Sequence, residues 1–335
     1  MDERKKAIYN KIRNEAKSRG NYVEFVSFSK LEKFLKCKRC FKYTYIDKIK
    51  TEFKDNLHAD VGTLCHDIIQ WGVTESWGRD KILKTFKDRS KIICDKFSMR
   101  MDLPLLKSTK HFFENSEYML KLVERGVKIE FEVPVFHKLR YEDKPNKEYW
   151  LVGFLDMVIH NEDDTISIVD FKTSNKSGYV GKKKEQAFLQ IYSYAYLYEA
   201  LYRKRVAEVG YLFIKYCNMV FTDSKGKSRK SSKVERKDIQ DEFREKDGLC
   251  DLVLTDSLDM YEFTKENRLV YIKRLLDIFH ESKEEELFEG TGRDKFYCER
   301  FCEHSKSGVC DWVDKVEVKN PMQVMLDYMY KGNEL

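Results

Sequence analysis

The chain has 335 residues, enough for one large domain or two modest ones, and 42% of them are hydrophobic, which is enough to build a core. The 63 basic and 57 acidic residues leave a net charge of +6, a mild bias that fits a solvated surface as well as a nucleic-acid partner. The sequence has no apolar run of about 18 residues and its charged start lacks an apolar signal region, so neither a membrane span nor export is expected, and a cytoplasmic setting (host cytoplasm if viral) follows.

A basic helix is predicted over roughly 2–18, ending at Gly20. In "SFSKLEKFLKCKRCF", Ser29 and Glu32 have capping-box spacing and predict a short helix. Residues 60–125 read as helical. From about 127 the period changes to alternation: "VKIEFEVPVF", "EYWLVGFLDMVIH" and "TISIVDFKT" are predicted strands, with the turn "NEDD" between the last two. Residues 184–204 contain no Gly or Pro and predict a helix, and "VAEVGYLFIKYC" predicts another strand. "DSKGKSRKSSKVERK" (223–237) reads as a basic loop, either solubilising or in contact with phosphate. Its "GKS" lacks the leading glycine of a phosphate-binding loop. The stretch 258–285 is predicted helical, and a cysteine-rich tail follows. Together these elements indicate an α/β (α+β) fold, a central mixed sheet flanked by helices with a helical insertion.

The last strand carries Asp170 and Lys172 into an apolar run. If 162–164 form the hairpin tip, positions summing to 326 oppose each other, and Asp156 faces Asp170. Directly opposed Cβ atoms lie about 4.5–5.5 Å apart, so the two carboxylates would repel unless a cation sits between them. A hard divalent ion with oxygen ligands meets that need. Lys172 lies two residues beyond Asp170 on the same face, where a cation can stabilise a developing oxyanion. Glu130 and Glu132 alternate in the neighbouring strand, within reach of that face.

The ordered series Gly62-x-x-x-His66, Gly153-x-x-Asp156, Asp170-x-Lys172 and Gln190-x-x-x-Tyr194 resembles the PD-(D/E)XK nuclease superfamily, in particular its RecB-like branch. The resemblance implies a restriction-endonuclease-like fold and hydrolysis of phosphodiesters. It implies Mg²⁺ or Mn²⁺ bound by His66, Asp156, Asp170 and the backbone carbonyl of Phe171, with Lys172 catalytic. Gln190, Tyr194 and Glu132 would support the site or contact DNA. The implied substrate is DNA, single-stranded or with free ends, with exonuclease action favoured over endonuclease. The setting would be recombination, repair or CRISPR adaptation, with a protein partner possible there. A noncatalytic DNA-end-binding module of the same fold is the alternative.

Cys37 and Phe41 match the N-terminal motif of the iron–sulfur members of this branch, and "YCERFCEHSKSGVC" supplies Cys298, Cys302 and Cys310. The spacings, x3 and x7, depart from the usual x2 and x5. The resemblance implies a 4Fe–4S cluster on Cys37, Cys298, Cys302 and Cys310, a Cys-rich staple of both chain ends. Cys40 leaves a zinc site (Cys37-x2-Cys40 with two tail cysteines) open, as would a zinc-stabilised structural protein. Cys65, Cys94, Cys217 and Cys250 suit buried thiols. The organisation expected is a helix at 1–26, a nuclease domain at 27–312 and a helical tail at 313–335. Within the domain, 73–126 would be a helical insertion, 218–250 a basic insertion and 298–310 the cluster-binding tail.

Overall fold

The computed structural model describes residues 3–51, 57–99, 106, 109–110, 112–113, 128–173, 179–214, 218–222, 228–231, 249–253, 258–290, 298 and 302–310. Most of 100–127 and all of 313–335 lie outside them, so the far part of the helical insertion and the C-terminal tail carry no structural statement. No described helix is long and apolar enough to cross a membrane.

A six-stranded mixed sheet organises the chain. Strands β2 (Ile129–Leu139), β3 (Lys147–His160) and β4 (Ile166–Lys172) form an antiparallel meander. The alternation of apolar residues and the polar turn at 161–165 fix its register: Met157 pairs with Val169 and His160 with Ile166, the predicted sum of 326. Strand β5 (Val206–Phe213) lies parallel to β4, reached through the 22-residue helix α6 (Gly181–Tyr202), and β9 (Leu258–Glu262) closes that edge antiparallel to β5. Between them, β6 (Asn218–Thr222), β7 (Ser228–Ser231) and β8 (Leu249–Val253) form a separate small antiparallel sheet.

The helix α1 (Glu3–Ser18) ends before Gly20, whose φ of 76° makes the turn into β1 (Tyr22–Val26). Strand β1 joins the main sheet parallel to the first half of β3, so residues 22–26 are not part of the predicted N-terminal helix. Helix α2 (Phe28–Lys36), followed by the one-turn α3 (Lys38–Phe41), corrects the predicted cap. Ser27, extended at φ −116°, accepts the Lys30 N–H, while Ser29 lies inside the helix and Glu32 pairs with Lys36. Residues 258–285 divide into β9 and α7 (Lys265–Glu284), not one helix; pairing with β5 takes the first five residues into the sheet. The predicted basic loop contains the short strand β7.

Two apolar cores lie on opposite faces. One packs α2, α6 and α7 on the sheet, and the other packs α4 (Leu57–Thr74) and α5 (Arg79–Lys96). Cys65 and Cys94 are buried in the second. Glu24 ties the first together by accepting from Lys30 (2.7 Å) and Lys283 (2.6 Å), with Lys147 at 3.0 Å. Burial pushes that carboxyl up, but the hydrogen bonds from Lys283 and Lys30 pull it down to about 2.

Candidate active site

Strand β2 pairs with β3 along most of its length, so β1 and β4 share the other edge of β3, β1 at Lys147–Leu151 and β4 at Met157–His160. The stretch 152–156 lies between those two ladders. Continuing the β3–β4 register would bring Asp156 opposite Asp170 and Phe171 opposite Leu155. The Phe171 N–H instead donates to Asp156 Oδ2 at 2.8 Å, so a side chain takes the place of the ladder acceptor and the strands part there.

The seam between the cores runs through the same point. Leu151 and Leu155 belong to the core under α6, whereas Met157 and Ile159 belong to the core under α4, although all four are odd-numbered. In β2, Val133 and Phe131 divide in the same way around Glu132, whose φ of 51° is in the left-handed region. The β2–β3 register places Glu132 across from Asp156. Glu132, Asp156 and Asp170 thus form one row across three strands. Glu130 is turned away, to His160 (2.5 Å) and Lys128 (3.3 Å).

Asp156 and Asp170 are 16% and 15% exposed. Burial, followed by the charge of Asp170, pushes Asp156 up to about 6. His66 on α4 brings Nδ1 to 3.6 Å from Asp156 Oδ1 and sets its ring edge-on to Phe171. Lys172 Nζ lies 2.6 Å from Asp170 Oδ2, in an ion pair without hydrogen-bond alignment, since the same Oδ2 has no hydrogen-bond partner in the structure. Burial opposes the Lys172 ammonium most strongly of any single cause, yet Asp170, Tyr179 and Asp156 together outweigh it and the pKa is raised. Gln190 Oε1 accepts from Lys172 at 3.4 Å.

Tyr194, one turn along α6, is buried against Gly153. A Cβ at 153 would stand 2.4 Å from the ring Cζ, so the glycine of Gly153-x-x-Asp156 is what lets α6 approach the sheet. Burial, followed at a lower rank by the charges of Asp170 and Asp156, raises the Tyr194 pKa, keeping it a neutral phenol. Gly153→Ala is expected to cost about 1–3 kcal/mol through overpacking, read as a lower midpoint in chemical denaturation. A variant as stable as the parent would mean that the ring can retreat. Gly62 is less confined: its nearest neighbour would be Thr173 Oγ1 at 3.6 Å, an ordinary contact.

The structure thus brings together His66, Asp156, Asp170, Lys172, Gln190 and Tyr194, with Glu132 in the same row. Sequence reasoning missed Tyr211, opposite Asp170 in β5, whose ring lies 5.7 Å from Lys172 Nζ and whose buried hydroxyl has no hydrogen-bond partner. It also missed Lys5, which reaches Glu132 from α1 at 2.6 Å. No local pattern marks either residue, because both contacts are long-range.

At the chain ends, Cys37, Cys40 and Cys302 form one buried cluster, with Cys40 and Cys302 Sγ atoms 3.8 Å apart. Cys40, which lies outside the expected cluster set, is therefore the thiol beside Cys302. Contact with Cys40 and the backbone of Ser305 and His304, working against burial, lower Cys302 to about 6, while the contact with Cys302 and burial raise Cys40. Cys298 is buried and Cys310 half-buried. Among the described residues, no three His, Cys, Asp or Glu side chains already close on a common point as a ligand set, at either the acidic row or the thiols.

A mixed sheet flanked by helices, with a carboxylate from each of two adjacent strands and a lysine two residues beyond the second, defines the restriction-endonuclease-like class. The chain belongs to the PD-(D/E)XK nuclease superfamily, whose family model matches residues 26–268. No curated protein matches it. Among solved structures, one titled "Crystal structure of SSO0001" is similar at 10% identity, over 89% of this chain and 92% of that one, with a TM-score of 0.29.

Proposed function

We propose that this protein is a divalent-metal-dependent nuclease of the RecB-like branch that hydrolyses phosphodiester bonds in DNA, as an exonuclease on single strands or free ends. The observation that carries the reading is the pair Asp156 and Asp170, 16% and 15% exposed on adjacent strands, with Lys172 two residues beyond the second. Two carboxylates in one mostly enclosed place repel, and the Asp156 pKa is raised by burial first and by that repulsion second. A hard dication held by Asp156, Asp170 and His66, with the Phe171 carbonyl beside them, would remove it, so the donor set fits Mg²⁺ or Mn²⁺. Such an ion supplies a water of lowered pKa and polarises the phosphoryl oxygen.

The chain's own groups do the rest. The Phe171 N–H holds Asp156 Oδ2 in place, and Gln190 holds Lys172 at the level of Asp170. The Lys172 ammonium, raised in pKa and therefore charged at neutral pH, is placed to stabilise negative charge on a phosphate over the acidic row.

The buried thiols of Cys37, Cys40 and Cys302 support a metal–thiolate staple joining the two ends of the chain. Iron with acid-labile sulfide would assign it to a 4Fe–4S cluster on Cys37, Cys298, Cys302 and Cys310, and zinc alone to a site on Cys37, Cys40 and two of the tail cysteines.

The test is cleavage of 5′- and 3′-end-labelled single- and double-stranded DNA with Mn²⁺, and with EDTA. Cleavage abolished by EDTA supports the reading, and the product ladder gives polarity and separates exonuclease from endonuclease action. Intact, metal-loaded protein that cuts neither DNA would favour a noncatalytic end-binding module.

A further inference from the structure

The family match begins at residue 26, yet α1, which precedes it, reaches the acidic row. Its inward stripe is Lys5, Tyr9, Ile12 and Ala16, at helical spacing. Ile12 and Ala16 are buried, and Tyr9 sets its ring edge-on to Phe25 of β1 (4.6 Å) and tilted on Phe154 of β3 (6.3 Å). Those contacts fix the helix on the sheet. They place Lys5 Nζ 2.6 Å from Glu132 Oε2 and 4.8 Å above the Phe154 ring, two residues from Asp156. Lys5 and Glu132 are 29% and 26% exposed, so the pair is partly screened but not loose on the surface. Glu132 itself holds a left-handed backbone inside a strand, a conformation that persists only where its surroundings hold it.

We propose that Lys5 is a positioning residue of the active site: α1 is an appended strap whose ammonium holds the Glu132 carboxylate in the row beside Asp156 and Asp170. The inference rests on the nuclease reading above and adds to it a residue from outside the matched region. The row then has a cation at each end, Lys172 on Asp170 and Lys5 on Glu132. Lys5 offsets one of three negative charges, which weakens the row's pull on a dication. It also fixes the third carboxylate, which favours one productive placement.

These two consequences have opposite signs, and a merely structural ion pair would show neither. The test uses the full chain with Lys5→Met, Lys5→Arg, Glu132→Gln and the Lys5→Met/Glu132→Gln double variant, reading Mn²⁺ affinity by calorimetry, kcat at saturating Mn²⁺, and Tm. Lys5→Met is expected to bind Mn²⁺ about threefold to tenfold more tightly and to cleave roughly tenfold more slowly. Lys5→Arg should keep both parental values. With Glu132→Gln already present, Lys5→Met should no longer lower kcat.

Unchanged Mn²⁺ affinity and kcat in Lys5→Met would overturn the proposal. So would a loss of kcat that persists in the Glu132→Gln background, or one that only follows a loss of Tm. A parent protein that binds no Mn²⁺ and cuts no DNA would overturn the nuclease reading itself. An active parent with an indifferent Lys5→Met removes the strap alone.

Discussion

Asp170→Asn is expected to lower cleavage by at least about 10³-fold while the protein stays folded. The amide keeps the shape of the carboxylate, so the β4–β5 ladder through Asp170 and Tyr211 is undisturbed. What goes is one of the two charges that make a dication favourable at this place. The same substitution removes the charge that helps raise Asp156, whose pKa should fall back from about 6 toward the ordinary carboxylate range. Mn²⁺ binding by calorimetry should be lost together with activity. A variant that still degrades labelled DNA at the parental rate would dismiss the site.

Lys172→Met is expected to reduce kcat by roughly 10²–10³-fold with Mn²⁺ binding retained and tighter than in the parent. Methionine keeps much of the side-chain volume in a place that is 17% exposed but carries no charge. The ammonium that sits on Asp170 Oδ2 is gone, so the carboxylate is available to a dication without competition. The cation facing the phosphate is gone as well, and that loss falls on the transition state. The two substitutions therefore move metal affinity in opposite directions while both abolish most of the turnover. A Lys172→Met protein that loses Mn²⁺ binding would show that the lysine supports the metal site and not the charge on phosphate. Gln190, the other group on Lys172, should show a smaller version of the same effect, since its bond at 3.4 Å is long.

Much of this site is legible in the sequence because its geometry is local. A hairpin with a four-residue polar tip and alternating apolar flanks admits few registers, and a slip by one residue would turn every apolar side chain to the wrong face. The register that brings Asp156 level with Asp170 follows from that alone, although the paired ladder ends at Met157–Val169. Gln190 and Tyr194 share a face because 181–202 has no helix-breaking residue after its first position. The start of α2 was legible only to within two residues: Ser27 and Ser29 both have the side chain for a cap, and the extended chain arriving from β1 selects the first.

Elements that depend on distant partners were not legible. "LDMYE" at 258–262 is too short to declare a period, and it is a strand because β5 offers it an unpaired edge. Strand β1 has the same explanation, in the open half-edge of β3. The parting of β3 from β4 at Asp156, the left-handed Glu132 and the approach of Tyr194 to Gly153 all come from two cores meeting along one twisted strand pair.

The sequence by itself determined the hairpin register that brings Asp156 level with Asp170 and puts Lys172 two residues beyond, since period and turn chemistry act over a few residues. Only the tertiary structure decided that Glu132, which the resemblance already favoured, takes its place in the row with a left-handed backbone, that Cys40 is the thiol beside Cys302, and that Lys5 reaches the site from outside the matched region. Those choices are made by contacts between segments more than a hundred residues apart, and by the charge and desolvation costs that only a packed chain imposes.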